Sequence, residues 1–111
     1  MFLFGVVVME NGLYKAAFAT QLGAGAGVIV LQDGKLRGGD SVIAYVGSYH
    51  SDGKNLQAEV STSRHTEDPE MRSVLGMDSA TLKLSGPCTA TTAELADSTG
   101  RFKARLNLLS R

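Results

Sequence analysis

Apolar and polar residues alternate along most of this chain with a period of two, the spacing of strands that bury one face. Clusters of Gly, Asp, Asn and Ser interrupt the alternation at intervals near the about 8–12 residues expected of all-β barrels and sandwiches. Asn11-Gly12 opens a strand over Leu13 to Thr20, with Tyr14, Ala16 and Phe18 on one face and Lys15 on the other. Gly23-Ala24-Gly25-Ala26-Gly27 leads into Val28-Ile29-Val30-Leu31, which reads as buried on both faces. Asp33-Gly34 predicts a two-residue hairpin, because both central positions of a type I′ turn need positive φ. A short return strand from Leu36 ends at Gly38-Gly39-Asp40, and Ser41 to Tyr49 predicts the next, closed by Ser51-Asp52-Gly53-Lys54.

The cleanest alternation runs from Leu56 to Arg64. Leu56, Ala58, Val60 and Thr62 share one face, and Gln57, Glu59, Ser61 and Ser63 the other. His65-Thr66-Glu67-Asp68-Pro69-Glu70 breaks the period, and the acids and proline ahead of Met71 to Leu75 predict one or two helical turns ended by Gly76. Ala80, Leu82 and Leu84 then line one side of a strand, Gly86-Pro87 predicts a turn, and Cys88 to Ala96 a Thr/Ala-rich strand. The last strand places Phe102, Ala104, Leu106 and Leu108 inward and Arg101, Lys103, Arg105 and Asn107 outward.

About eight one-faced strands predict an all-β domain over residues 9–111, a small antiparallel up-and-down barrel with one short helical segment, since closure removes exposed edges. Several inward positions are small: Ala16, Ala44, Ala58, Thr62, Ala80 and Ala104. An eight-stranded barrel has an interior that side chains just fill or that holds one small ligand. The space these residues leave is taken up by flattening of the barrel or forms an apolar cavity. The candidate lining is Tyr14, Ala16, Phe18, Ala58, Val60, Leu82, Phe102, Ala104 and Leu106.

Composition narrows the function classes. The 111 residues carry 11 Lys+Arg against 11 Asp+Glu, and the zero net charge lacks the basic footprint of a nucleic-acid binder. It also offers no colloidal repulsion, which makes self-association plausible. The one cysteine, Cys88, precludes an intramolecular disulfide and has no acid or base beside it, so it reads as an inert thiol. The apolar run Phe2 to Val8 is too short to span a bilayer and lacks the flanks of a signal peptide, so no membrane anchor and a cytoplasmic location are expected. Two readings of residues 1–8 remain: an additional strand near a subunit interface, or an extension ahead of a natural start at Met9.

Catalytic constellations are not found. No phosphate-binding loop occurs, and the Gly/Ala stretch lies between strands instead of opening a helix. His50 and His65, even with Asp52, Glu67 and Asp68 nearby, lack paired metal-ligand spacing, so no metal or cofactor is expected. Many serines occur, but none in a nucleophile elbow. The expected class is a non-enzyme.

Asn11-Gly12-Leu13-Tyr14 with Phe18, then Gly27-Val28-Ile29-Val30, Asp33-Gly34-Lys35-Leu36-Arg37-Gly38-Gly39-Asp40, Tyr45, Gly47 and Ser73-Val74-Leu75 form an ordered series that resembles the GrlR-like family of type III secretion negative regulators. The resemblance covers about Met9 to Leu109. It implies a dimeric, lipocalin-like barrel that acts by binding a protein partner such as a transcriptional regulator, with an apolar interior open to a lipid-like molecule. It also places the partner-recognition loop at Ser51, Asp52, Gly53 and Lys54, where this chain departs from the family's acidic motif by keeping one acid and carrying a lysine in place of another. The same partner therefore does not follow from the resemblance. Two functions follow as expectations: a regulator that binds a protein partner, and a carrier or sensor of a small apolar ligand inside the barrel.

Overall fold

Eight antiparallel strands close on themselves in sequence order, β1 through β8, with β8 pairing back onto β1. The computed structural model describes residues 9–67 and 79–111. Its strands are β1 (Gly12–Thr20), β2 (Gly23–Gln32), β3 (Lys35–Gly39), β4 (Ile43–Ser51), β5 (Asn55–Arg64), β6 (Ser79–Pro87), β7 (Thr92–Ala96) and β8 (Lys103–Ser110). This is the up-and-down barrel that the alternation predicts. The expected helical turn at Met71 to Leu75 and the apolar run at residues 1–8 lie outside the described residues. Among the described residues, no helix is long and apolar enough to cross a membrane.

Local chemistry sets each turn. Asp33 and Gly34 take φ of 50° and 86°, as a type I′ hairpin requires. Asn11 braces that turn from outside, donating to the Asp33 carboxylate at 3.0 Å and accepting the Asp33 amide at 3.1 Å. Three other hairpins begin with an aspartate whose carboxylate accepts amides of its own loop: Asp40 from Val42 and Ile43, Asp52 from Asn55, and Asp97 from Phe102. Such local bonds satisfy turn amides that no ladder reaches, which is why the chain gathers its acids at strand ends.

Four details differ from the sequence expectations. Val28 and Val30 are 45% and 41% exposed while Ile29 and Leu31 are buried, so this run alternates and has no second buried face. Among the described residues nothing covers this outer face, and valine suits it through its extended backbone preference. Gly86-Pro87 is no turn: it ends β6, in register with Leu56 and Asn55. A proline is tolerated there because strand ends do not demand its missing donor. β7 begins only at Thr92, because Thr89 uses its backbone and hydroxyl to turn the chain onto Thr92. Finally, β4 begins at Ile43, since the Asp40 carboxylate accepts the amides of Val42 and Ile43. Ala44 is therefore a half-buried position between the inward Ile43 and Tyr45, not an interior residue.

The core is unevenly distributed along the barrel axis. At the end where β1 begins, Met9, Tyr14, Leu31 and Leu56 are the largest fully buried side chains. The Tyr14 hydroxyl donates to the Glu10 carbonyl at 2.6 Å, with the Ala90 carbonyl 3.3 Å away. Burial, then the nearby Glu10 charge, push its pKa up, so it stays a neutral donor. The Glu10 amide bonds the Ala90 carbonyl, and the Glu10 carboxylate meets Arg111 at 2.7 Å, which ties the segment ahead of β1 to the residue after β8 across this floor. Each buried leucine there contributes about 1.5–3 kcal/mol and each hydrogen bond about 1 kcal/mol, so packing dominates.

Candidate ligand cavity

Above that floor the barrel is hollow. A cavity of about 570 Å³ opens at the end carrying the β1–β2, β3–β4 and β7–β8 turns. Its volume lies in the range of small-molecule sites, about 300–1,000 Å³. Among the described residues, the wall is apolar apart from Asp40, Ser41, Tyr45 and Thr62.

The volume arises from what the inward positions lack. On β2 the inward series is Gly23, Gly25, Gly27, Ile29 and Leu31, so its mouth half presents backbone where a barrel normally presents side chains. Phe18 lies over Gly25, and a Cβ there would sit 2.8 Å from the ring. A Cβ at Gly27 would sit 2.6 Å from the Gly39 carbonyl oxygen. These glycines thus let an aromatic ring and a neighbouring strand lie against bare backbone. Ala16, Ala58 and Ala104 supply the remaining space on β1, β5 and β8.

An aromatic group crosses the upper cavity. Phe18 meets Tyr45 edge-on at 5.9 Å and stacks with Phe102 at 6.2 Å, an arrangement that fixes all three rings. The Tyr45 hydroxyl donates a hydrogen bond to Asp40 Oδ2, while Asp40 Oδ1 accepts the amides of Val42 and Ile43 at 2.8 and 2.7 Å. Partial burial alone pushes the Asp40 carboxyl upward, but the Tyr45 hydroxyl, these two amides and nearby His65 outweigh it and hold the carboxyl below its ordinary range. Burial and the Asp40 carboxylate together push the Tyr45 hydroxyl up. The pair is accordingly an ionised aspartate and a neutral tyrosine at neutral pH.

Of the residues expected to line the interior, Ala16, Phe18, Ala58, Val60, Leu82, Phe102, Ala104 and Leu106 stand on the cavity wall. Tyr14 does not. It faces inward but belongs to the packed floor, where its hydroxyl is held by backbone carbonyls. Sequence reasoning missed Gly25, Gly27, Asp40 and Tyr45. The period-two phase of the glycines with Ile29 and Leu31 was a usable signal, whereas the Asp40–Tyr45 bond depends on strand geometry.

The loop Ser51, Asp52, Gly53 and Lys54 lies at the opposite end, between β4 and β5. The Asp52 carboxylate is drawn into its own turn, accepting the amides of Asn55 at 2.9 Å and Lys54 at 3.3 Å, which hold its pKa low. The Lys54 carbonyl accepts the Cys88 amide, and Ser51 Oγ lies 3.7 Å from Cys88 Sγ. This loop is built as a turn tied to the β6–β7 connection and does not contribute to the cavity. Among the described residues, His, Cys, Asp and Glu form no group of three placed to hold a metal ion.

The basic outer face of β8 is partly neutralised, since Arg105 pairs with Glu94 at 2.9 Å. Apolar side chains are exposed elsewhere on the exterior. Leu13 and Val30 are register partners, Arg37 follows on β3, and Val46 is its partner on β4, with Leu109 also exposed on β8. No family model matches the chain, and no curated protein matches it. The likeness to GrlR-like regulators therefore rests on the sequence motifs alone.

Proposed function

We propose that this protein is a non-enzymatic barrel that holds a small apolar molecule in its interior, as a carrier or a sensor. The observation that carries this reading is the hollow, apolar upper half, rich in glycine and alanine, above a floor where Met9, Tyr14, Leu31 and Leu56 are fully buried. An apolar void of this size loses dispersion contacts that a ligand restores, so occupancy is favourable in itself. Native mass spectrometry of protein purified without refolding tests it directly. A copurifying small-molecule adduct, released on denaturation, is expected. An unliganded mass, together with failure to take up any added apolar probe, contradicts the reading.

A second reading is regulation by binding a protein partner such as a transcriptional regulator, in the manner that the GrlR-like resemblance implies. The exposed Leu13–Val30 pair, with Val46 exposed beyond Arg37 in the same cross-strand row, favours it, because exposed apolar residues on a barrel exterior suit a protein contact, including a second copy in a homodimer. Sedimentation and a mild-salt pull-down from the native cell test this reading. A dimer, or one stoichiometric partner lost on Val46→Lys, supports it, and a monomer that recovers nothing contradicts it. The two readings are compatible, since occupancy of the cavity reaches the turns at its mouth.

A further inference from the structure

The cavity carries one charged side chain among the described residues that line it, and its position restricts what the cavity accepts. Asp40 stands at the mouth, where β3 turns into β4. Its Oδ1 is occupied by the amides of Val42 and Ile43, and its Oδ2 by the Tyr45 hydroxyl. A carboxylate oxygen offers about two lone-pair sites, so Oδ2 keeps one acceptor site. No lysine, arginine or histidine is on the described wall. His65 approaches from behind, with its Nε2 3.0 Å from the Asp40 carbonyl oxygen and its Nδ1 2.7 Å from Thr66 Oγ1. Arg64, at the rim of β5, donates to the Thr66 carbonyl at 3.4 Å and does not line the cavity.

We propose that Asp40 selects ligands by head group: the cavity takes amphiphiles whose polar end is a hydrogen-bond donor, neutral or cationic, such as a long-chain alcohol or amine, and rejects fatty-acid carboxylates. The proposal rests on the cavity being a ligand site. A donor head group at the mouth finds the free acceptor site of Oδ2 while its chain lies among Phe18, Ala58, Ala104 and Leu106. A carboxylate in the same place meets a like charge with no compensating cation among the described residues of the wall, and partial burial leaves that repulsion weakly screened. Charge placement of this kind acts by excluding the wrong ligand as much as by attracting the right one.

The test is displacement of the neutral dye N-phenylnaphthylamine from the whole protein near neutral pH by decanol, decylamine, decanoate and methyl decanoate. Decylammonium and decanoate are both ionised amphiphiles of one chain length, so their comparison isolates the sign of the charge. Decylamine is expected to displace the dye at least about tenfold more effectively than decanoate, a difference of about 1.4 kcal/mol. Methyl decanoate, which lacks the charge, is expected to recover the affinity that decanoate loses. In Asp40→Asn, whose amide oxygen still accepts the loop amides, the gap between decylamine and decanoate is expected to close. Equal displacement by the two ions in the wild-type protein overturns the proposal while leaving the cavity reading intact. A gap unchanged in Asp40→Asn overturns the assignment to Asp40. Absence of any dye binding removes the cavity reading itself and this proposal with it. Should the variant fail to fold, the order of the four ligands on the wild-type protein decides alone.

Discussion

The two ends of the barrel are built from the same alternating strands yet are used in opposite ways. At the floor, inward positions carry Met9, Tyr14, Leu31 and Leu56, and the space is filled. Toward the mouth, the same inward phase carries Gly25, Gly27 and Ala104, and with Ala58 lower on the wall about 570 Å³ stays open. The difference teaches that hollowness here is a matter of side-chain size at a given depth, not of strand number or closure. One end supplies stability, and the other spends some of it on room.

Substitutions at the two ends should separate these roles. Leu56→Ala or Leu31→Ala is expected to cost the most, about 2–5 kcal/mol by urea unfolding, because each leaves a void in a packed floor. An equal loss from Leu82→Ala, on the cavity wall, would erase the distinction; its cost is expected near the lower end of that range or below, since its surroundings are already open. Gly27→Ala comes next, at about 1–3 kcal/mol, because its Cβ has no place beside the Gly39 carbonyl. Tyr14→Phe is expected to lose about 1 kcal/mol, the net worth of a buried hydrogen bond to the Glu10 carbonyl.

The smallest effect is one of pH. The folded pKa of Asp40 lies below its ordinary 3.8, so its ionised form contributes stability that is complete above about pH 4 and is lost as pH falls through the folded value. Asp52 and Asp97 are shifted the same way, so Asp40→Asn should remove only part of the acid sensitivity. Thermal melts between about pH 7 and pH 3 would check this, and a variant as acid-sensitive as the wild type would refute it.

Alternation made the in-or-out sense of most residues legible. Leu56, Ala58, Val60 and Thr62 on β5, and Phe102, Leu106 and Leu108 with β8, face inward as their period predicts. Depth along the axis was not legible, because a period of two distinguishes faces and not levels. Tyr14 and Phe18 are equivalent in phase, yet one seals the floor and the other spans the cavity. Register sets that difference: Tyr14 lies opposite Ile29 and Leu108, whereas Phe18 lies opposite Gly25 and Ala104. Glycine density was also ambiguous. It read as a stretch between strands until pairing of Gly23 through Gly27 with β1 made it a cavity wall. Asp40 carried a turn signal but no sign of Tyr45, because that bond forms only when β4 curls the ring back over the turn.

The most direct test of a hollow mouth above a solid floor is a fluorescence titration of N-phenylnaphthylamine into wild-type protein and into Ala58→Leu, a substitution that fills the cavity from its wall. Saturable uptake with one site is expected in the wild type. It should be weakened at least about tenfold in Ala58→Leu while stability changes by no more than about 1 kcal/mol. Equal uptake by both proteins, or none by either, would contradict an interior ligand site.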